Sequence, residues 1–140
     1  MIALDTNVLL RYLLQDDPDQ SPKAAQLIAS HAIVLIPDIV LVEMIWTLKG
    51  KKYQLGKPEL IHVVKALLEE SGICFENNQA VWQALNDYRK ADAINGKQAD
   101  FSDALIARKA RFTAKTRSTP LIGIYTFDMA AQQLPGMLPI

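Results

Sequence analysis

The apolar residues of this 140-residue chain follow two alternating patterns. Short continuous apolar runs predict buried strands at residues 2–4, 33–36, 73–75 and 121–125. Between these runs, apolar residues recur every three or four positions, which predicts amphipathic helices. Short strands that alternate with longer helices are typical of an α/β domain. We therefore expect a central parallel sheet of four or five short strands with helices on both faces.

Helix-capping residues and helix breakers predict where these helices begin and end. Asp5, Thr6 and Asn7 are good N-cap types before an apolar segment that Pro18 closes. Glycine is expected just past a helix end, as at Gly50 and Gly72. The first predicted helix follows residues 5–7, and the second runs from the cap Ser21 to residue 30. Further helices are predicted over 38–49, from 56–58 to 72, after a cap at 77 or 78, and over 100–112. A short helical turn is predicted after 128.

Composition and charge narrow the class of protein. Half of the residues are apolar, 21% are charged, and the formal net charge is zero, which excludes a disordered chain and gives no overall argument for nucleic acid. The single cysteine, Cys74, suits a reducing compartment. Charged residues interrupt every apolar stretch well before the roughly 20 residues of a membrane span. We expect one cytoplasmic domain over residues 1–140, without membrane association.

Glu43 is the most informative acid, because it lies in a helix that is apolar on nearly every face. Such a helix is expected to be largely buried, and a buried carboxylate needs a partner or a metal. An alternative is that Glu43 belongs to a narrow polar stripe with Asp38 or Lys49.

Four further acids lie where α/β proteins form their sites. Asp5 ends the first predicted strand, and Asp128 follows the strand at 121–125; ligands bind at such carboxyl ends. Asp100 and Asp103 are three residues apart at a helix start, so they share one face. Each also has a simpler interpretation. Asp5, Asp100 and Asp128 are good helix caps, and Asp103 is a first-turn acid that the helix dipole favours.

Acids that converge on one crevice require a cation, and oxygen ligands select Mg²⁺ or Mn²⁺. Such a site activates water to hydrolyse a phosphodiester without a nucleophilic side chain. A zinc site is disfavoured because His31 and His62 are far apart and unmatched by cysteine. Cys74, in an apolar strand, is expected in the core, and the chain has no glycine-rich phosphate loop.

Four segments of the chain together resemble the motifs of PIN-domain nucleases, in the same order and spacing. Residues 4–10 are similar to the opening signature, 41–43 to the second acid, 99–107 to the third motif, and 125–128 to a fourth strand that ends in Thr-x-Asp. The resemblance spans essentially the whole chain. It implies a three-layer PIN-like domain, and it is greatest to the VapC-type toxins of toxin–antitoxin pairs.

The resemblance implies a Mg²⁺- or Mn²⁺-dependent endoribonuclease, usually a homodimer, that a small antitoxin holds inactive. By motif position, the core acids are Asp5, Glu43 and Asp103. Asp128 is a more variable fourth acid and Asp100 an accessory metal ligand. Supporting polar residues that would orient the acids or water are Thr6, Asn7 and Thr126. Residues 108–119 depart from the family pattern, because they form a longer and more basic stretch before the last motif.

Two groups of cations are candidates for RNA contacts. The first comprises Arg108, Lys109, Arg111, Lys115 and Arg117, which contain no acid among them. They are interpreted equally well as a phosphate-binding patch or as a solvated helix end. The second comprises Lys49, Lys51, Lys52 and Lys57, for which the solvated interpretation is favoured. Tyr12, Leu13, Leu14 and Trp46 would line a groove for a partner helix or belong to the core.

Two other functional classes remain open. A catalytically silent PIN-fold module that binds RNA or protein is one alternative, but the intact acids argue against it, because a degenerate site is expected to lose one of them. Phosphoryl transfer is the other. A haloacid-dehalogenase-type phosphatase requires Asp-x-Asp after its first strand, whereas this chain has Asp5, Thr6 and Asn7.

Overall fold

The computed structural model describes residues 1–140 and contains six α-helices, five short β-strands and one 3₁₀ turn. The strands are β1 Ile2–Ala3, β2 Val34–Ile36, β3 Ile73–Phe75, β4 Ile124–Tyr125 and β5 Met137–Leu138. The helices are α1 Thr6–Leu14, α2 Gln20–Ala29, α3 Asp38–Lys49, α4 Lys57–Glu69, α5 Asn78–Lys90 and α6 Phe101–Thr116. The chain divides into two compact units, Met1–Asn78 and Gln79–Ile140, called unit 1 and unit 2 below.

Unit 1 contains a parallel three-stranded sheet in the order β1-β2-β3. Ile2 pairs with Val34, which in turn pairs with Ile73, so the three strands run in register. Parallel strands need a crossover, and here α1 and α2 connect β1 to β2 while α3 and α4 connect β2 to β3. The carboxyl ends of the strands therefore lie along one edge, and Asp5 follows the end of β1.

The core of unit 1 forms where each helix turns its apolar stripe inward. Leu9 and Leu10 of α1 are buried, as are Leu41, Met44 and Ile45 of α3. Burying side chains of this size contributes about 1.5–3 kcal/mol each relative to exposure. A buried hydroxyl also joins α1 to α2, because Ser21 Oγ donates to the carbonyl oxygen of Arg11 at 2.8 Å. This packing fixes the N-terminus of α1, where Asp5 lies.

Unit 2 contains α5, α6 and a parallel two-stranded sheet of β4 and β5. The rings of Tyr88 and Phe101 meet edge to face with their centroids 6.0 Å apart. The segment before α6 makes a tight turn at Asn95 and Gly96, which both have positive φ, and Ile94 and Lys97 pair across it. Asparagine and glycine suit such a turn because they tolerate the left-handed region.

The predicted α/β class with a parallel sheet is confirmed, and α3 and β3 have the predicted bounds. The five strands divide into sheets of three and two, and β5 was not predicted because two residues carry no recognisable alternation. The last predicted strand was too long, since only Ile124–Tyr125 of residues 121–125 pairs. The sixth helix was too short, since it continues beyond residue 112 to Thr116. None of the helices is both long and apolar enough to cross a membrane.

The cap of the second helix was also predicted wrongly. Ser21 lies inside α2, which begins at Gln20 with Asp19 as its N-cap. Asp17 supplies the terminal hydrogen bonds instead, because its Oδ1 accepts from the backbone N–H of Asp19 and of Gln20. These bonds lower the pKa of Asp17 below its ordinary value. Ser21 is buried because its hydroxyl has partners in α1 and in the preceding turn.

Candidate active site

Asp5 lies between β1 and α1 and caps the helix. Its Oδ1 accepts a hydrogen bond from the backbone N–H of Val8 at 2.9 Å. The other oxygen, Oδ2, accepts no hydrogen bond from the chain, and the side chain is exposed. The structural and the functional interpretations of Asp5 are therefore compatible, since one oxygen serves the cap and the other faces solvent.

Glu43 is exposed, so the prediction that its helix buries it was wrong. Helix α3 directs Leu41, Met44 and Ile45 inward, whereas Ile39 and Trp46 on the opposite stripe are 61% and 52% exposed. A helix that is apolar all round does not indicate which of its faces is covered, because the covering elements are distant in sequence. Glu43 shares the exposed stripe by helical spacing.

Thr6 orients the Glu43 carboxylate. The Thr6 hydroxyl donates to Glu43 Oε2 at 2.9 Å, across 37 positions of sequence. Glu43 Oε1 accepts no hydrogen bond from the chain. Because Thr6 is the first residue of α1 and Glu43 lies in the middle of α3, the packing of these two helices decides the contact.

A cavity of about 470 Å³ in unit 1 contains both carboxylates. Asp5 and Glu43 line it together with Thr6 and Asn7, so four of the predicted site residues meet there. The donor set is oxygen-rich and open to solvent, which fits Mg²⁺, an ion that uses one or two carboxylates and keeps several waters. The residues present in unit 1 therefore suit a hard divalent cation.

Unit 2 contains the other predicted acids, Asp100, Asp103 and Asp128, and their side chains accept hydrogen bonds from backbone N–H groups. Asp100 is the N-cap of α6 and forms a capping box with Asp103. The backbone N–H of Asp100 donates to Asp103 Oδ2 at 2.9 Å. The sequence interpretation of Asp100 as a helix cap is confirmed, and Asp103 completes the cap as the third residue of the helix.

Asp128 follows β4, and its side chain bonds to the backbone where the 3₁₀ turn Ala131–Gln133 begins. Its Oδ1 accepts from the backbone N–H of Ala130 at 2.8 Å and of Ala131 at 3.3 Å. Thr126 holds the same turn from the other side, since its Oγ1 accepts from the backbone N–H of Asp128 at 3.0 Å. Asp128 also lines a cavity of about 480 Å³, beside Phe127 and Lys97.

No three His, Cys, Asp or Glu side chains lie close enough to hold a metal ion in either unit. Neither unit by itself therefore contains the predicted cluster of four acids. His31 and His62 are exposed, as the sequence suggested. Cys74 is half-buried in the middle of β3.

The basic stretch at the end of α6 has two parts. Arg108 is engaged within unit 2, because its Nε and Nη2 donate to the two oxygens of Asp87 at 2.5 and 2.8 Å. This pair raises the pKa of Arg108 above its ordinary value. Lys115 and Arg117 are exposed at the helix end. Lys115 lies twelve positions after Asp103 in the same helix, so about 18 Å of helix axis separates them.

Sequence reasoning missed Arg11 and Tyr53, which line the unit 1 cavity beside the acids, and it named Lys52 only as one of four lysines for which a solvated role was favoured. Arg11 could have been found, because it lies four positions after Asn7 on the same face of α1. Lys52 stood among four lysines that the sequence could not separate. Nothing in the sequence pointed to Tyr53, whose place depends on the loop between α3 and α4.

Comparison with known proteins identifies the class. The family model described as the PIN domain matches residues 2–128. Because that match spans most of the sequence, the chain belongs to the PIN domain family. Membership supports nuclease activity in general.

Two further comparisons add little. No curated protein matches the chain. Among solved structures, it is similar to VapC20 of Mycobacterium tuberculosis, described as a toxin that cleaves the sarcin-ricin loop, with 15% identity, a TM-score of 0.41 and 85% of each chain covered. At this identity and TM-score, the likeness supports no conclusion about the activity of this chain.

Proposed function

We propose that this protein is a divalent-metal-dependent endoribonuclease, using Mg²⁺ or Mn²⁺, and the toxin of a toxin–antitoxin pair. The observation that carries the proposal is the unit 1 cavity. It holds Asp5 and Glu43 together, and each keeps one carboxylate oxygen free of hydrogen bonds from the chain. Membership in the PIN domain family supports the same chemistry.

In this proposal, Asp5 and Glu43 would hold the cation, and Asn7 lines the same cavity. When bound, the ion supplies positive charge at the phosphate and lowers the pKa of a water. The chain supplies the rest. Thr6 fixes the rotamer of Glu43, and the N-cap bond to Val8 fixes Asp5, so neither carboxylate must reorient when substrate binds.

Asp103, Asp128 and Asp100 remain predictions from the PIN motifs, with Asp103 as a core acid, Asp128 as a variable fourth and Asp100 as an accessory ligand. Thr126 is proposed to support Asp128 through the turn they share. A cognate antitoxin, a homodimeric state and a cytoplasmic location are proposed from the family resemblance alone.

The experiment that tests the proposal is cleavage of total cellular RNA with mapped ends, in Mg²⁺ and separately in Mn²⁺. Controls are EDTA and the Asp5→Asn variant, in which asparagine still caps α1 because it is an equally good N-cap. We expect discrete cuts that disappear in both controls. Wild-type cleavage by Asp5→Asn would refute the proposal. The absence of cuts by folded, partner-free protein would favour the catalytically silent binding module instead.

A further inference from the structure

Two cations and a tyrosine form one wall of the cavity that contains Asp5 and Glu43. Arg11 comes from α1, and Lys52 and Tyr53 come from the loop between α3 and α4. They will be called the cationic wall. These two segments are about 40 positions apart in sequence, so the packing of unit 1 brings Lys52 and Tyr53 to the side of the cavity that α1 lines.

Arg11 is held in place by an acid outside the cavity wall. Its Nη1 donates to Asp16 Oδ1 at 2.7 Å, and the Tyr53 hydroxyl donates to Asp16 Oδ2 at 3.3 Å. The neighbouring Tyr53 hydroxyl and the charge of Asp16 raise the pKa of the Arg11 guanidinium above its ordinary value. Arg11 therefore pairs with Asp16 and forms no ion pair with Asp5 or Glu43, although all three line the cavity.

Lys52 is held over the ring of Tyr53. Its Nζ lies 5.2 Å from the ring centroid and forms no ion pair with any residue of the chain. The loop that carries both residues is fixed by two backbone bonds, from the N–H of Gln54 to Gly50 at 2.8 Å and from the N–H of Leu55 to Leu48 at 2.9 Å. An ordered loop lowers the entropy cost of presenting a cation to a ligand.

The charged side chains that line this cavity are complementary to the backbone of a nucleic-acid strand with a bound cation. A cation-binding pair of carboxylates suits the phosphate being cleaved, and fixed Arg and Lys side chains suit phosphates on either side of it. The ammonium of Lys52 has no anionic partner of its own, so an incoming phosphate need not displace one. Asp16 accepts one hydrogen bond from Arg11, and the other N–H donors of the guanidinium can bind a second anion.

We propose that Arg11 and Lys52 bind the RNA backbone next to the cleaved phosphate, and that Tyr53 is the positioning residue that holds both. This inference rests on the proposed function, because it takes the strand cut at Asp5 and Glu43 as the occupant of the cavity. It separates Lys52 from its neighbour Lys51, which is equally charged and exposed but does not line the cavity.

The test measures RNA binding without cleavage. Full-length protein is titrated against a fluorescein-labelled, unstructured single-stranded RNA of twelve nucleotides in EDTA, and anisotropy is followed at several salt concentrations. We expect Lys52→Ala to weaken binding about 5- to 10-fold and to reduce the slope of log K against log salt by about 0.7 to 1, the loss of one phosphate contact. Lys51→Ala is the matched control and should weaken binding less than about 2-fold.

Two further variants test the positioning role. Tyr53→Phe keeps the ring under Lys52 but loses the hydroxyl that reaches Asp16, so it should weaken binding less than Tyr53→Leu, which loses both. Arg11→Gln should resemble Lys52→Ala in affinity and in salt slope. Thermal unfolding of each variant shows that it is folded. Equal effects of Lys51→Ala and Lys52→Ala, or no RNA binding by wild-type protein in EDTA, would overturn the inference.

The outcomes separate this inference from the proposed nuclease activity. Asp5→Asn should lose cleavage in Mg²⁺, whereas in EDTA its RNA affinity should not fall, because the substitution removes a negative charge from the cavity and leaves Arg11 and Lys52 in place. Suppose that the wild-type protein cleaves RNA but the Lys51→Ala and Lys52→Ala variants bind RNA equally well. The proposed nuclease activity would then stand, and the proposed role of the cationic wall would be refuted. If the protein does not cleave RNA but the two lysine variants differ in RNA affinity as expected, the proposed nuclease activity would be refuted and the RNA-binding role of the cationic wall would stand.

Discussion

Units 1 and 2 use their acids differently. In unit 1, the contact between Thr6 and Glu43 spans 37 positions of sequence, and the cationic wall joins segments equally distant. In unit 2, Asp103 contacts the backbone three positions away, and Asp128 contacts it two and three positions away. The bonds of Asp103 and Asp128 are thus local, whereas Asp5 of unit 1 caps its own helix and also shares a cavity with Glu43, which is distant in sequence. Acids that belong to one set of sequence motifs can therefore have different surroundings in the folded protein.

The largest expected effect is that of Glu43→Gln on cleavage. Glutamine keeps an acceptor for the Thr6 hydroxyl but loses the charge, so we expect RNA cleavage to fall about 100-fold or more. The free energy of unfolding should change by less than about 0.5 kcal/mol because the side chain is exposed. Initial cleavage rates and urea unfolding measure the two quantities.

Glu69→Gln is the matched control for this variant, because Glu69 is an exposed glutamate of the same unit outside the cavity. It should cleave RNA at the wild-type rate. If both variants lose the same activity, or if Glu43→Gln unfolds, the distinction between the cavity acids and ordinary surface acids fails.

The next effect concerns the main ion pair of unit 2. Arg108→Ala leaves Asp87 without its partner, and the Asp87 side chain is only 11% exposed. We expect the free energy of unfolding to fall by about 1–3 kcal/mol. Lys115→Ala, on the exposed end of the same helix, should cost less than about 0.5 kcal/mol. A double-mutant cycle of Arg108→Ala with Asp87→Ala that shows no coupling would contradict a structural role for this pair.

The smallest effect concerns a tyrosine–carboxylate pair in unit 1. Tyr12 Oη donates to Glu70 Oε1 at 2.5 Å, and this bond raises the pKa of Tyr12 from 10.0 to about 12. Because the pKa in the folded state is the higher one, the stabilisation is complete below pH 10 and is lost as the pH rises towards 12. Tyr12→Phe should therefore cost about 1 kcal/mol at neutral pH and progressively less above pH 10.

Urea unfolding of wild-type protein and of Tyr12→Phe between pH 7 and pH 11 measures this difference. Tyr125→Phe is the control, since Tyr125 is 58% exposed and its substitution should give a small, pH-independent change. A wild-type advantage over Tyr12→Phe that stays constant up to pH 11 would show that Glu70 does not hold the Tyr12 proton.

Local signals predicted much of the fold and some of the site. Capping types gave the N-terminus of α1 at Asp5 and of α6 at Asp100, because a cap bonds to backbone within three residues. Helical periodicity gave α3, but it gave the wrong burial for Glu43. Periodicity counts apolar residues and does not show which of them a distant element covers.

The residues of the cationic wall also show that local sequence patterns do not predict which side chains meet in the folded protein. Lys52 has the same local pattern as Lys51, and only the turn after α3 places one over the Tyr53 ring. Asp16 lies beyond the end of α1, yet it holds both Arg11 and Tyr53. Their interactions depend on loop geometry, for which a single sequence carries no periodic signal.

By itself, the sequence determined the α/β class, most helix ends and the PIN motifs, since each depends on neighbours within about one helical turn or on a fixed order of motifs. Only the tertiary structure decided that Glu43 is exposed, that Thr6 holds it, and that Arg11, Lys52 and Tyr53 stand beside it. These contacts join α1, α3 and the following loop. Their formation depends on how the helices pack across a core, and that packing combines many weak contacts that no single stretch of sequence contains.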